Sequence, residues 1–275
     1  MGEPAAGPES IQTMPRGGPN ASRLDRLLQT ETLEYTDRDD VADDVKQSVI
    51  AALDRMGTYL GLHEKNARTA LGVVTDVAHP RILEIGAGHG KLSASILDLH
   101  STASVTVSDL DPTSVAKISA AELGTHPRAR TQVVDATAIA ADDDSYDLVV
   151  FALAFHHLPP GAACRAIAEA TRVGKKFLVI DLRRRPPLGM LLDLLGMGPM
   201  GVRMSLPSLW PWMHDGCISV LRSYSRAAFV ALGQAADPQM RIEFLPPPNR
   251  FGPASAAVLF SRLSTPAQGP TQRNP

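Results

Sequence analysis

Apolar and polar positions along the chain repeat with two different periods. Between residues 22 and 79 the apolar positions recur at helical spacing. Leu24, Leu27 and Leu28 predict a short helix, Val41, Val45, Val49, Ala52, Leu53 and Met56 a longer one, and Ala67, Leu71 and Val74 a third. Asp39, Asp40 and Asp43 stand near the start of the long helix, where its dipole favours anions. From residue 80 onward short apolar runs alternate with helical patterns. Runs at 81–85, 104–108, 131–134, 147–153, 177–181, 240–245 and 254–263 predict strands, and residues 91–99, 112–123, 160–171 and 225–235 predict helices. This alternation predicts an α/β fold of three layers, a mostly parallel sheet with helices on both faces. Ligands of such sheets bind at the carboxyl ends of the strands.

Other segments break these periods. Residues 1–21 carry Pro4, Pro8, Pro15, Gly17, Gly18 and Pro19 and no apolar signal core, and residues 265–275 are similar. Both predict flexible tails, because such compositions bury too little apolar surface to offset the entropy of ordering. Residues 182–224 form an apolar insert containing Leu188, Met190, Leu191, Leu192, Leu195, Trp210, Trp212 and Met213. A helical insert packed on the sheet and a lid over a bound molecule are both consistent with it.

The 275 residues carry a formal net charge of −2, which gives no support to a nucleic-acid partner. No apolar run reaches the 18 residues of a membrane span. The two cysteines, Cys164 and Cys217, have no metal-ligand or disulfide spacing, so a reducing, cytoplasmic setting is expected.

The most informative stretch is Leu83-Glu84-Ile85-Gly86-Ala87-Gly88-His89-Gly90-Lys91, which leaves a predicted strand and enters a predicted helix. Glycines there let the backbone turn tightly and approach a ligand. The dinucleotide pattern GxGxxG would need glycine at position 91, where Lys91 stands. The next strand ends at Asp109, whose carboxylate can accept from two ribose hydroxyls, and the third ends in Val134-Asp135-Ala136, which can meet an adenine amine and ring nitrogen.

With Glu84, Gly86, Gly88, Gly90, Asp109 and Asp135 in this order, the chain resembles the class I S-adenosylmethionine-dependent methyltransferases. Tyr146-Asp147-Leu148 through Phe155-His156-His157-Leu158-Pro159, and then Arg172-Val173-Gly174, resemble their small-molecule branch, which includes ubiquinone and menaquinone methyltransferases. The likeness is good over residues 80–182, weak to 263, and says little about 22–79. It implies a Rossmann-like seven-stranded sheet with the last strand antiparallel between the fifth and sixth. The domain would span 80–264 with the helical insert 182–224, preceded by an N-terminal helical segment 22–79. It implies S-adenosylmethionine as cofactor, held by Glu84, Gly86, Ala87, Gly88, Gly90, Asp109, Leu110, Asp135, Ala136 and Phe151, with Glu84 near the ammonium group. Asp111, two residues past the expected position, is the weaker ribose candidate.

The expected reaction is methyl transfer to a small, apolar acceptor by in-line displacement. The alternative is a cofactor-binding but non-catalytic partner or sensor of the same fold. His156 and His214 are the candidate bases; Asp215 could fix the tautomer of His214, although a turn stabilised by Asp215 and Gly216 is the simpler account of this stretch. Their adjacency points the side chains of His156 and His157 in different directions, so the two are not expected to ligate together, and no metal is expected. His89 reads as a solvent-facing or cofactor-rim residue. The fourth strand exits as Ala152-Leu153-Ala154-Phe155, without the Asn/Asp-Pro-Pro-aromatic run of base-amino methyltransferases. Neither cysteine follows a proline, so nucleic acid is disfavoured as acceptor. The oligomeric state is not legible in the sequence.

Overall fold

The computed structural model describes residues 11–203, 209–248 and 254–263. The N-terminal region holds α1 (Arg23–Leu27), a 3-10 turn (Tyr35–Asp37), α2 (Asp43–Tyr59) and α3 (Leu62–Val73). The alternating part follows as β1 (Arg81–Ile85), α4 (Lys91–Leu99), β2 (Ser104–Asp109), α5 (Pro112–Ala120), α6 (Glu122–Thr125) and β3 (Ala129–Val133). Next come β4 (Leu148–Ala152), a second 3-10 turn (Phe155–His157), α7 (Pro160–Val173) and β5 (Phe177–Leu182). The insert supplies α8 (Pro187–Arg203) and α9 (Leu209–Arg222), before α10 (Arg226–Ala236), β6 (Arg241–Leu245) and β7 (Ser255–Ser261).

The seven strands lie in the order β3-β2-β1-β4-β5-β7-β6, parallel except for β7, which runs antiparallel to both β5 and β6. This is the architecture expected from the sequence. Central strands β1, β4 and β5 are covered on both faces and so read as continuous apolar runs. Their alternate residues feed two cores. Leu83, Ile85, Val149, Phe151, Phe177 and Val179 pack with α7 and α10. Ile82, Leu148, Val150, Leu178 and Ile180 pack with α3, α4 and α5 on the other face. The edge strand β3 reads ARTQV and is largely exposed.

Two expectations need correction. The helix expected over 112–123 breaks at Ala121, which is extended (φ −91°, ψ −175°). The break turns Leu123 inward against the Gly90 loop. The tail expected at 1–21 is also wrong for its second half. Residues 1–10 lie outside the described residues, but Ile11 and Met14 join the core under β4 and β5. Arg16 is buried: its Nη1 donates to the carbonyls of His156 (2.8 Å) and Arg222, and its Nη2 to that of Leu158 (3.3 Å). The guanidinium also lies 4.8 Å over the Tyr224 ring. Ser225 fastens this segment from the other side, donating from N to the Arg16 carbonyl and from Oγ to that of Gly17. A Gly/Pro-rich segment without regular structure is thus ordered by tertiary hydrogen bonds, which composition does not register. The tail expected at 265–275 lies outside the described residues.

The insert packs on the N-terminal region rather than standing free. Met190 and Trp212 are buried with Ala52 of α2, and Met56 and Leu28 pack against them. The opposite side of α8 exposes Leu188, Leu191, Leu192 and Leu195. Met204 lies outside the described residues. Among the described residues no helix is long and apolar enough to cross a membrane.

Candidate functional site

The glycine loop leaves β1 at the carboxyl edge of the sheet. Gly86, Gly88 and Gly90 all have left-handed backbones, with φ of 64°, 57° and 74°. A Cβ on Gly86 would lie 2.7 Å from the Phe151 ring, so this turn needs glycine for space as well as for conformation. Phe151 therefore floors the loop, and Ala87 donates its N–H to the Ser108 carbonyl at 2.9 Å, tying the loop to β2.

The carboxylates sit around this loop. Asp109 accepts from the Gly88 N–H at 2.8 Å and the Asp111 N–H at 3.0 Å, and burial holds its pKa above the ordinary value despite them. Leu110 beside it is exposed. Asp111, the weaker ribose candidate, caps α5 by accepting from the N–H groups of Thr113 and Ser114. Val134 donates to the Asp109 carbonyl, which brings the exit of β3 beside that of β2. There Asp135 is exposed and accepts from Thr137, while Ala136 is buried.

Glu84 is wholly buried, one turn beneath the loop. One carboxylate oxygen accepts from both the N–H and the hydroxyl of Ser93 on α4. Burial pushes its pKa up to about 8, against the lowering effect of the Ser93 hydrogen bonds.

The sequence did not disclose what covers the loop. His89 donates or accepts through Nδ1 with Asp54 (2.7 Å) and through Nε2 with Gln47 (2.9 Å), both on α2. Gln47 also donates to Asp111 and Ser114. His89 is therefore a fastener between loop and helix rather than a solvent-facing residue. The only sequence signal was a glutamine and an aspartate seven residues apart on one helical face.

At the end of β4, Leu153 takes a left-handed backbone (φ 59°), which a leucine adopts only at a cost of about 1–3 kcal/mol. Such outliers collect at functional sites. The chain then forms the 3-10 turn anchored by buried Phe155 among Phe151, Phe177, Tyr224 and Phe229. That turn presents His156 and His157 side by side, ring centroids 4.5 Å apart and planes at 32°. The expectation that the two side chains point in different directions is wrong: a 3-10 turn gathers neighbours that extended backbone would send apart.

Both histidines are oriented by carboxylates. His156 Nδ1 bonds Asp181 at 2.8 Å, and Asp181 also accepts the His156 N–H at 2.7 Å. His157 Nδ1 bonds Asp37 at 2.7 Å. Their Nε2 atoms face the two oxygens of buried Glu34, at 3.4 and 3.5 Å. Arg222 donates to Asp37 at 2.8 Å and to the His157 carbonyl. Burial disfavours the imidazolium of His156, but Asp181 and Glu34 outweigh it and raise its pKa to about 10. Burial likewise opposes charge on Glu34 and Asp37. The histidines nevertheless hold Glu34 below its usual range, and His157 and Arg222 bring Asp37 to about 2. The two carboxylates that face its ring thus favour a proton on His156. The neighbouring His214 Nδ1 bonds Asp215 at 2.8 Å, as the sequence suggested, and Asp215 accepts the Tyr35 N–H at 2.8 Å. The His214 side chain is a quarter exposed, and Tyr35 packs on it at 4.5 Å. Glu34, Tyr35 and Asp37, which build this second cluster, were invisible as site residues in the sequence because they come from a loop far from the sheet.

Residues 82–176 match a family described as a methyltransferase domain. The chain is 27% identical over 216 residues to the ubiquinone biosynthesis O-methyltransferase of Aeromonas salmonicida (strain A449), covering 70% of this chain and 89% of that protein. It is 35% identical over 114 residues to the enzyme of the same name from Xanthomonas euvesicatoria pv. vesicatoria (strain 85-10), covering 40% of this chain and 46% of that one. Among solved structures, the plantazolicin methyltransferase BpumL in complex with SAH superposes with a TM-score of 0.57 at 13% identity, over 81% of this chain and 92% of the other. At that identity the likeness establishes the fold.

Proposed function

We propose that this chain, a class I S-adenosylmethionine-dependent methyltransferase, methylates a hydroxyl group on a small, largely apolar acceptor. The residues present fit the cofactor: three left-handed glycines bring no side chain of their own to the loop, and the exits of β2 and β3 bring Asp109 and Asp135 to one edge. In this reading Gly86, Ala87, Gly88 and Gly90 meet the amino acid portion, with Glu84 beneath it. Asp109 and Leu110 meet the ribose, Asp135 and Ala136 the adenine, and Phe151 supports the loop from below. Bound S-adenosylmethionine supplies a methyl group already activated by its positive sulfur, so no covalent enzyme residue is needed and in-line transfer depends on alignment.

The chain's own task is then to orient the acceptor, exclude water and take its proton. The observation that carries the reading is the His214–Asp215 pair. Asp215 holds the Nδ1 of a partly exposed histidine, and that arrangement leaves Nε2 as the basic atom. The pair lies on α9 of the apolar insert, a helix that packs against the turn ending β4. His156 acts as a positioning residue, its ring and its N–H both fixed by Asp181. The relatives' printed activity, O-methylation in ubiquinone biosynthesis, supports a hydroxylated aromatic ring with an apolar substituent as the acceptor class.

Titration calorimetry with S-adenosylmethionine, and turnover on catechols and hydroquinones carrying apolar tails, test this together. Asp109→Asn is expected to weaken cofactor binding by roughly tenfold or more, the loss of one charge-assisted hydrogen bond. His214→Asn is expected to bind cofactor normally and to lose about 10²–10⁴-fold in turnover. Cofactor binding without product from any hydroxylated acceptor would favour the non-catalytic alternative. Undiminished turnover in His214→Asn would remove the histidine from the reaction.

A further inference from the structure

We propose that Glu34, His156 and His157 form a binding site for one divalent transition-metal ion, of which zinc is the best fit. One ligand atom from each lies within 4.8 Å of the others. The donor set of two imidazole nitrogens and a carboxylate suits zinc among the common divalent ions.

Four observations point to a metal. First, Glu34 faces His156 Nε2 at 3.4 Å and His157 Nε2 at 3.5 Å. Charge-assisted N–H···O bonds are shorter, about 2.7–2.9 Å. Two ligands held about 2.0–2.1 Å from one zinc ion at tetrahedral angles are roughly 3.3 Å apart, close to what is found. Second, His156 Nε2 is fully buried and has no hydrogen-bond partner. A buried ring nitrogen without a partner is costly, and this one is directed at Glu34. Third, the outer partners are those of a metal site. Each Nδ1 is held by a carboxylate, His156 by Asp181 and His157 by Asp37. Ser219 Oγ donates to Glu34 Oε1 at 3.0 Å. Such contacts fix the ring tautomer so that Nε2 presents its lone pair. Fourth, the charge is unbalanced. Glu34, Asp37, Asp181 and Asp215 gather here against the guanidinium groups of Arg16 and Arg222. With the histidines neutral, two negative charges are left over, which one divalent ion cancels.

Three protein ligands leave a fourth position, and the His157 side chain is about one fifth exposed, so the ion is reachable from outside. The use of the ion rests on the acceptor reading above: the open position would take the acceptor hydroxyl oxygen and make it more acidic. Binding itself does not depend on that reading.

The test uses the full chain, stripped with a chelator and desalted. Zinc is titrated in competition with a chromophoric chelator, and cobalt(II) is added in a parallel sample to record its d–d spectrum. One zinc per chain is expected, with a four-coordinate cobalt spectrum free of thiolate charge-transfer bands. Glu34→Gln and His157→Asn should abolish the stoichiometric site, and Asp37→Asn should weaken it by about 10–100-fold. Circular dichroism checks that each variant folds. His157, on the exposed side of the cluster, keeps the test valid if Glu34→Gln does not fold. Zinc retained equally by the variants, a thiolate signature from Cys164 or Cys217, or no stoichiometric zinc at all would each overturn the proposal. S-adenosylmethionine affinity, measured on the same stripped protein, reads the methyltransferase assignment separately.

Discussion

Replacing Glu84 by glutamine is expected to stabilise the protein at neutral and alkaline pH, although it alters the residue that opens the glycine motif. Glu84 is wholly buried, and its only direct polar contacts are the N–H and hydroxyl of Ser93. The folded chain therefore holds its proton up to about pH 8, against an ordinary value of 4.5. A carboxyl group raised in this way binds its proton more tightly when folded than when unfolded. Its contribution is most favourable below pH 4.5, declines as pH rises, and levels off above about pH 8. Each pH unit in that window costs about 1.4 kcal/mol, so wild type gives up roughly 3 kcal/mol by pH 7 relative to acid. Glutamine has no such dependence. It keeps an acceptor for the Ser93 N–H and loses about 1 kcal/mol from imperfect replacement of the other bond. Urea unfolding of both proteins from pH 4.5 to 9, without cofactor, should give stability curves that cross. The variant should be weaker by about 1 kcal/mol at the acid end and stronger by about 2 kcal/mol at pH 7. Groups common to both proteins cancel in the difference. A constant difference across the range would refute the reasoning, since it would mean that Glu84 does not change its ionisation on folding. If Glu84 lies beneath the cofactor ammonium group as proposed, saturating S-adenosylmethionine should flatten the wild-type slope.

Three further outcomes follow from the geometry. Gly90→Ala puts a side chain on a left-handed backbone (φ 74°) and 2.5 Å from Leu123 Cδ1. Strain and overpacking together should cost about 2–4 kcal/mol, a fall of roughly 5–15 °C in Tm by calorimetry. Arg16→Ala leaves the carbonyls of His156, Leu158 and Arg222 without their donor, and a loss of about 3 kcal/mol or more is expected in urea unfolding; an unchanged midpoint would restore the reading of residues 11–21 as a tail. Leu153→Gly relieves a left-handed leucine whose side chain is 40% exposed, so stability should hold or rise by up to about 1 kcal/mol. Calorimetric S-adenosylmethionine affinity should fall in the same variant if the strained backbone shapes the site.

Much of the glycine-loop half of the proposed site is local in sequence. β1, the glycine loop and the N-terminus of α4 are contiguous, and the loop's need for left-handed backbone is written in residue type at 86, 88 and 90. The exits of β2 and β3 could be placed because parallel strands joined by right-handed crossovers bring successive carboxyl ends to one edge. Apolar runs of both-face burial located β1, β4 and β5 within a residue or two.

The other half was decided by long-range contacts. Glu34 and Asp37 meet His156 and His157 across about 120 positions of chain, and Asp215 meets Tyr35 across 180. No period or short motif encodes such a pairing. The turn after β4 set the direction of the two histidines, because a 3-10 turn gathers neighbouring side chains that a strand would send apart. Arg16 shows the same limit in the core: its segment has the composition of a tail, yet three carbonyls exposed by the ends of other elements required a buried donor. The sequence by itself determined the layered sheet and the glycine loop, since these follow from local periodicity and backbone preference, while the place of the last strand came from the family resemblance. Only the tertiary structure decided which charges share a buried space, because desolvation makes their pairing obligatory only once distant segments have closed around them.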